Sequence, residues 1–355
     1  MTLHRILSRA RLLLALLSFT ALAGGDPARA DDSVPTEWQR LSRVEPLLTA
    51  PEPDNPVAVC VIDSGVNLTP DLEPVVISRT AYDGGDPGDT YPQPNGMTGH
   101  GTYVASFIAG QVNGWGSSGT WPRARIVSVR VFPPGGEVAD LADVIWALRA
   151  CVQQPMVRVI NLSLGALDAT EPEWSELENR ITSLRNDRDI NIVAAAGNAG
   201  GPVERPARFA ASFAVGAAAA DGTACGYSAR GAELDILVTG CGMASATEAG
   251  DAATFAGTSF GAPVVAASLA AVRAYASVDA ANAERLVTEA ARRSESGPLL
   301  DVAAALELAG RDDLVQAHQQ PSPSGRGLPA SAPASERMAL PAPRYRVVRR
   351  GAATP

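Results

Sequence analysis

The chain has 355 residues, 46% of them hydrophobic and 19% charged, a balance that can bury a core and excludes disorder throughout. Its 29 basic residues, all arginine, face 38 acidic ones for a formal net charge of -9, which excludes a broad nucleic-acid-binding surface.

In chain order, residues 1–30 have the three parts of a secretory signal: Arg5, Arg9 and Arg11, an apolar run over 12–23, and the small-x-small site Ala28-Arg29-Ala30. About twelve apolar residues fall well short of the roughly twenty that a spanning helix needs. Cleavage near Asp31 and export to a periplasmic or extracellular space are therefore expected, and no later stretch reads as a transmembrane segment. Residues 31–53, containing Pro and acids, read as a short leader. From 54 to 310, short β-branched runs alternate with amphipathic stretches, the pattern of βαβ units and a parallel sheet in one α/β domain. Strands are predicted at 57–62, 125–131, 158–162 and 190–195, each of the kind buried on both faces. Helices are predicted over 138–152, with Leu141, Val144, Ile145 and Leu148 on one stripe, and over 173–187, with Trp174, Leu177, Ile181 and Leu184. Residues 311–355 are Pro-, Ser-, Ala- and Arg-rich, with seven Arg against Asp312, Asp313 and Glu336. That composition predicts a disordered basic tail.

Cys60, Cys151, Cys225 and Cys241 include no CxxC pair and have no neighbouring His, which argues against a zinc site or a redox motif. In an oxidising compartment they are disulfide candidates. Cys225 and Cys241 flank a strand-like segment at 234–238, and a bridge closing a loop of about 15 residues contributes roughly 3 kcal/mol. Cys60 and Cys151 form the second candidate pair; buried free thiols are the alternative. Asp83, Asp86 and Asp89, in a Gly- and Pro-rich loop, offer oxygen ligands to calcium, but their spacing is not diagnostic and a solvated acidic loop is the simpler expectation.

Chemistry in an open α/β sheet gathers at the carboxyl ends of the strands. Asp63-Ser64-Gly65 follows the first predicted strand, Ala196-Gly197-Asn198 follows the fourth, and Gly257-Thr258-Ser259 opens a long Ala-rich helical stretch. Of three histidines, His4 lies in the signal and His318 in the tail, leaving His100 alone in the core. A serine nucleophile needs a base for its proton, an acid to orient that base, and donors for the oxyanion. Ser259, His100, Asp63 and Asn198 are of the right types for those four roles. Each also has a plain structural alternative: a strand-ending turn for Asp63, a helix N-cap for Ser259, a turn position for Asn198.

Four segments in this order resemble those of the subtilisin-like serine proteases, or subtilases: Val61-Ile62-Asp63-Ser64-Gly65-Val66, Gly99-His100-Gly101-Thr102-Tyr103-Val104-Ala105-Ser106, Ala195-Ala196-Gly197-Asn198 and Gly257-Thr258-Ser259-Phe260-Gly261-Ala262-Pro263. The resemblance covers residues 55–308. It implies a three-layer α/β fold with a mostly parallel central sheet and helices on both faces. It also implies a secreted serine endopeptidase acting on peptide or protein substrates through an acyl-enzyme, with Asp63, His100 and Ser259 as triad and Asn198 as oxyanion donor. No cofactor is required for that chemistry, although structural calcium is frequent in the family. By the same resemblance, Ser163-Leu164-Gly165 and Ala195-Ala196-Gly197 correspond to two walls holding an extended peptide, and Gly135-Gly136 to an opposite edge.

Glu204, just before Arg205-Pro206, falls near the family's pocket floor. There it would favour a basic residue before the cleaved bond; alternatively it pairs with Arg205 or Arg208 at the surface. Two departures from the family pattern stand out. The 31–53 segment leaves no room for the usual folded pro-domain, and Gly261 replaces the commoner Ala or Ser, which bears on helix packing. Two other readings compete with a protease. Gly257-Thr258-Ser259-Phe260-Gly261 also fits the G-x-S-x-G elbow of α/β-hydrolase esterases, but that fold places acid and His after Ser. A catalytically silent binding protein on a protease fold is the other.

Overall fold

The computed structural model describes residues 30–89, 99–134, 139–165 and 169–319. In chain order the elements are α1 (Glu37–Leu41), α2 (Glu45–Leu48), β1 (Ala58–Asp63), β2 (Val76–Ala81), α3 (His100–Ala109), β3 (Arg125–Arg130), α4 (Leu141–Cys151), β4 (Val157–Leu162), α5 (Glu171–Asp187), β5 (Asn191–Ala195), β6 (Phe213–Ala218) and β7 (Ile236–Thr239). There follow β8 (Met243–Ala246), β9 (Ala252–Phe255), α6 (Thr258–Ala276), α7 (Ala280–Glu289), β10 (Arg292–Ser294), β11 (Gly297–Leu299), α8 (Val302–Leu308) and α9 (Asp312–Gln319). Nine strands form one sheet in the order β10-β11-β7-β6-β5-β4-β1-β3-β2, parallel except for β10 against β11; β8 and β9 form a separate antiparallel ribbon.

Alternate side chains of each strand face opposite layers, and β1 shows the division. Val59 and Val61 belong to the core shared with α3 and α6, whereas Ala58, Cys60 and Ile62 belong to the core under α4 and α5. That two-sided burial is why β1, β3, β4 and β5 appear in the sequence as continuous apolar runs. β1 pairs with β3 on one side and β4 on the other. Strand order therefore reverses at β1, and the crevice at its carboxyl end is where such sheets bind ligands.

Both ends of the folded unit differ from the sequence expectation. The expected leader is packed into the core: Trp38 is 2% exposed and Val44 and Leu47 are fully buried, and the Trp38 indole N–H donates to the Ala244 carbonyl at 2.9 Å. Its first helix starts on a capping box in which Gln39 accepts from the Thr36 N–H at 2.7 Å. The expected tail begins late, because α9 buries Leu314 and Val315 against the domain, and the Arg311 guanidinium donates to the Tyr275 carbonyl at 2.7 Å. The predicted signal and the tail beyond Gln319 lie outside the described residues.

Two disulfides are formed, Cys60–Cys151 and Cys225–Cys241, with Cα separations of 5.8 and 5.6 Å. The first ties the middle of β1 to the last turn of α4. α6 is long and apolar enough by composition to cross a membrane, contrary to the reading of the sequence. In the fold it is the central helix, buried along nearly its whole length, so its apolar character serves the core.

Candidate active site

Asp63 ends β1 and is 1% exposed. Its Oδ1 accepts from the Ser64 backbone N–H at 2.7 Å and lies 2.7 Å from His100 Nδ1. His100 is the first residue of α3, and its ring reaches Asp63 only because the next residue has no side chain. A Cβ on Gly101 would stand 2.2 Å from the Gly65 carbonyl oxygen and 3.0 Å from the Asp63 Cβ. The Gly101 N–H donates to Ser64 Oγ at 2.9 Å, which fixes the helix start on the strand end. Burial alone lowers the pKa of His100, but the Asp63 charge and hydrogen bond outweigh it, with Asp89 adding to them, and the net shift is upward.

Asp89 is not a solvated loop residue. It is 5% exposed, and its carboxylate accepts from the Thr102 N–H and Oγ1, both at 2.9 Å, in the first turn of α3. Asp83 holds the buried Arg130 guanidinium at 2.8 and 2.9 Å, and Asp86 accepts from the Gly88 N–H. The three carboxylates considered for calcium are thus engaged separately. Among the described residues no group of three or more His, Cys, Asp or Glu is placed to hold a metal.

Ser259 is the second residue of α6. The ring of the following residue, Phe260, lies 5.7 Å from that of His100, which places the starts of α3 and α6 side by side. Pro263 sits inside α6 and has no N–H, so the Ser259 carbonyl loses its helical partner. Ser163 replaces that donor: its Oγ donates to the Ser259 carbonyl at 2.8 Å, while Asn161 donates to Ser163 at 2.9 Å. Close packing accounts for Gly261. A Cβ there would meet the Gly216 carbonyl and the Val238 Cβ, both at 3.3 Å, so glycine lets α6 lie close on β6 and β7.

Asn198 follows β5. Its side-chain oxygen accepts from the Thr258 N–H at 2.8 Å and the Thr258 Oγ1 at 3.0 Å, so its amide nitrogen faces the other way. The Thr258 Oγ1 in turn accepts from the Gly197 N–H at 3.2 Å. Sequence reasoning missed Thr258 and Asp89 as organisers of the site. The signal of Thr258 was a hydroxyl at a helix start, common enough to pass as ordinary capping, and that of Asp89 an acid in a Gly- and Pro-rich loop.

Ser163, Leu164, Ala195 and Ala196 are buried, while Gly165 is exposed beyond the last β4–β5 ladder pair, Leu162 with Ala194. Glu204 is partly buried, and its N–H donates to the Ala196 carbonyl at 2.9 Å. Burial raises its carboxyl pKa. The expected surface pair with Arg205 is not formed, because Arg205 binds Glu171 at 2.8 and 2.9 Å. Gly135 and Gly136, expected at an opposite substrate edge, lie outside the described residues.

The sequence profile of the subtilase family matches residues 54–316. Subtilisin Savinase of Lederbergia lenta is 32% identical over 218 residues, covering 61% of this chain and 76% of that protein. Subtilisin E of Bacillus subtilis is 31% identical over 220 residues, 60% of this chain and 54% of that one. The match to the alkaline protease of Alkalihalobacillus alcalophilus also spans 54% of that protein, so the chain covers about half the length of several curated relatives. Among solved structures, a protease of Pseudoalteromonas arctica superposes with a TM-score of 0.66 at 21% identity, over 80% of this chain and 99% of that one. A cold-adapted subtilisin-like serine proteinase gives 0.59 at 24% identity, over 75% and 98%. The chain belongs to the subtilase family and has the fold of the subtilisin-like serine endopeptidases.

Proposed function

We propose that the protein is an exported serine endopeptidase using Asp63, His100 and Ser259 as triad and Asn198 as oxyanion donor. The observation that carries this reading is the 2.7 Å contact between His100 Nδ1 and a buried Asp63, beside the helix start that carries Ser259. With Nδ1–H donated to Asp63, His100 keeps Nε2 unprotonated for Ser259. Ser259 Oγ attacks the peptide carbonyl as His100 takes its proton. The tetrahedral oxyanion receives hydrogen bonds from the Asn198 amide and the Ser259 backbone N–H at the helix start. His100 then protonates the leaving amine, and water hydrolyses the acyl-enzyme by the same steps. Peptide would lie extended along Ser163-Leu164-Gly165 and Ala195-Ala196-Gly197. The signal-like residues 1–30 support export. The test is turnover of a denatured protein and of peptide anilides. Ser259→Ala and His100→Ala should each lose all but the roughly 10³- to 10⁴-fold residual over water that oxyanion binding supplies; either variant retaining most of the wild-type kcat contradicts the reading.

A further inference from the structure

On the proposed reading the attacked carbonyl lies between Ser259 and Asn198, and the substrate residue bearing it runs along Ser163-Leu164-Gly165 and Ala195-Ala196-Gly197. Two positions there, Gly165 and Gly197, have no side chain. The space beside both is taken by Glu204. A Cβ on Gly197 would stand 2.6 Å from the Glu204 carboxyl carbon, and one on Gly165 3.5 Å from its Oε2. The position is fixed by the backbone, since Glu204 N–H is bonded to Ala196 and the preceding Val203 is 2% exposed. Among the described residues the carboxylate has no hydrogen-bond or ion-pair partner. The adjacent cation is committed elsewhere: Arg205 is bidentate on Glu171 and lies 5.5 Å from the centre of the Trp174 ring. A partly buried carboxylate without a partner loses hydration and regains nothing, and burial accordingly raises its pKa. An arriving guanidinium or ammonium supplies what is missing, through a charge-assisted bond.

We infer that Glu204 sets the cleavage specificity of this site, receiving an arginine or lysine side chain on the acyl side of the cleaved bond; the inference rests on the serine endopeptidase reading above. The test uses peptide anilides that differ only in that residue (Arg, Lys, Leu or Glu), with wild type, Glu204→Gln and Glu204→Arg. Wild type should give a kcat/KM ratio of Arg over Leu of about 10- to 100-fold, Glu204→Gln should bring it close to one, and Glu204→Arg should favour Glu over Arg. A wild-type preference for Leu, or a ratio unchanged in folded Glu204→Gln, overturns the inference. Fluorophosphonate labelling of Ser259 in the same preparations reports the serine reading separately. If labelling or turnover fails, calorimetric binding of the Arg and Leu product peptides to Ser259→Ala, with and without Glu204→Gln, still decides the pocket. Tighter Arg binding that disappears with Glu204→Gln sustains it, and equal binding refutes it.

Discussion

Removal of the Asn198 side chain separates its contribution to the transition state from its contribution to the fold. In the resting protein Asn198 spends its oxygen on Thr258, at 2.8 Å to the N–H and 3.0 Å to Oγ1, which on the proposed reading leaves its amide nitrogen for the oxyanion. Asn198→Ala loses two ordinary hydrogen bonds, about 1 kcal/mol each in stability. It also loses a donor that acts only when charge develops, about 2.7–4 kcal/mol or 10²- to 10³-fold in kcat, the range known for such a donor in a subtilisin. KM should move little, because the ground-state carbonyl gains little from the donor. Asn198→Asp keeps the acceptor for Thr258 but places an oxygen where the donor stood, so its kcat should fall below that of Asn198→Ala. The assay is steady-state kcat and KM on a peptide anilide, with a thermal melt to show folding. A folded Asn198→Ala enzyme with kcat within about threefold of wild type would refute the assignment.

Three further outcomes follow from the same structure. Because Asp63 and Asp89 hold the pKa of His100 above the ordinary 6.5 despite burial, the base stays protonated to higher pH than a free imidazole; kcat/KM should decline on acidification with a midpoint above 6.5 that moves down in Asp89→Asn, and a midpoint below 6.5 would contradict this. The chain-entropy relation gives about 4.6 kcal/mol for the 91-residue separation of Cys60 and Cys151 and about 3.1 kcal/mol for the 16-residue separation of Cys225 and Cys241. Urea unfolding should therefore find the Cys60→Ser/Cys151→Ser variant the less stable of the two, and the reverse order would contradict the estimate. Trp38→Ala should cost about 3–5 kcal/mol by cavity formation next to Phe107, whereas a loss under about 1 kcal/mol would mean that the 31–53 segment is not part of the cooperative core.

The parts of the fold legible in the sequence are those where burial is two-sided and local. β1, β3, β4 and β5 stand where apolar runs predicted them, and α4 and α5 match their stripes to within three residues at either end. β2 escaped because five of its six residues are only partly buried at the sheet edge. α1, α2 and α9 escaped for another reason: each is too short to show periodicity, and each depends on distant partners such as Ala244 for Trp38. At the candidate site, the individual residues could be named from their motifs, and the Asp63–His100 contact agrees with that naming. What the sequence could not supply is who satisfies whom. Ser163 replacing the donor that Pro263 lacks, and Arg205 turning to Glu171 instead of Glu204, depend on long-range geometry. Whether the candidate pair Cys60 and Cys151 is bonded was likewise open, since a 91-residue separation carries no local signal.

The most direct test of the central claim is exposure of the purified, folded protein to a fluorophosphonate, followed by intact mass and peptide mapping. A single adduct on Ser259, absent in His100→Ala, is the predicted result, because only a serine whose proton can pass to a positioned base reacts. No adduct, or one on another serine, would contradict the assembled triad.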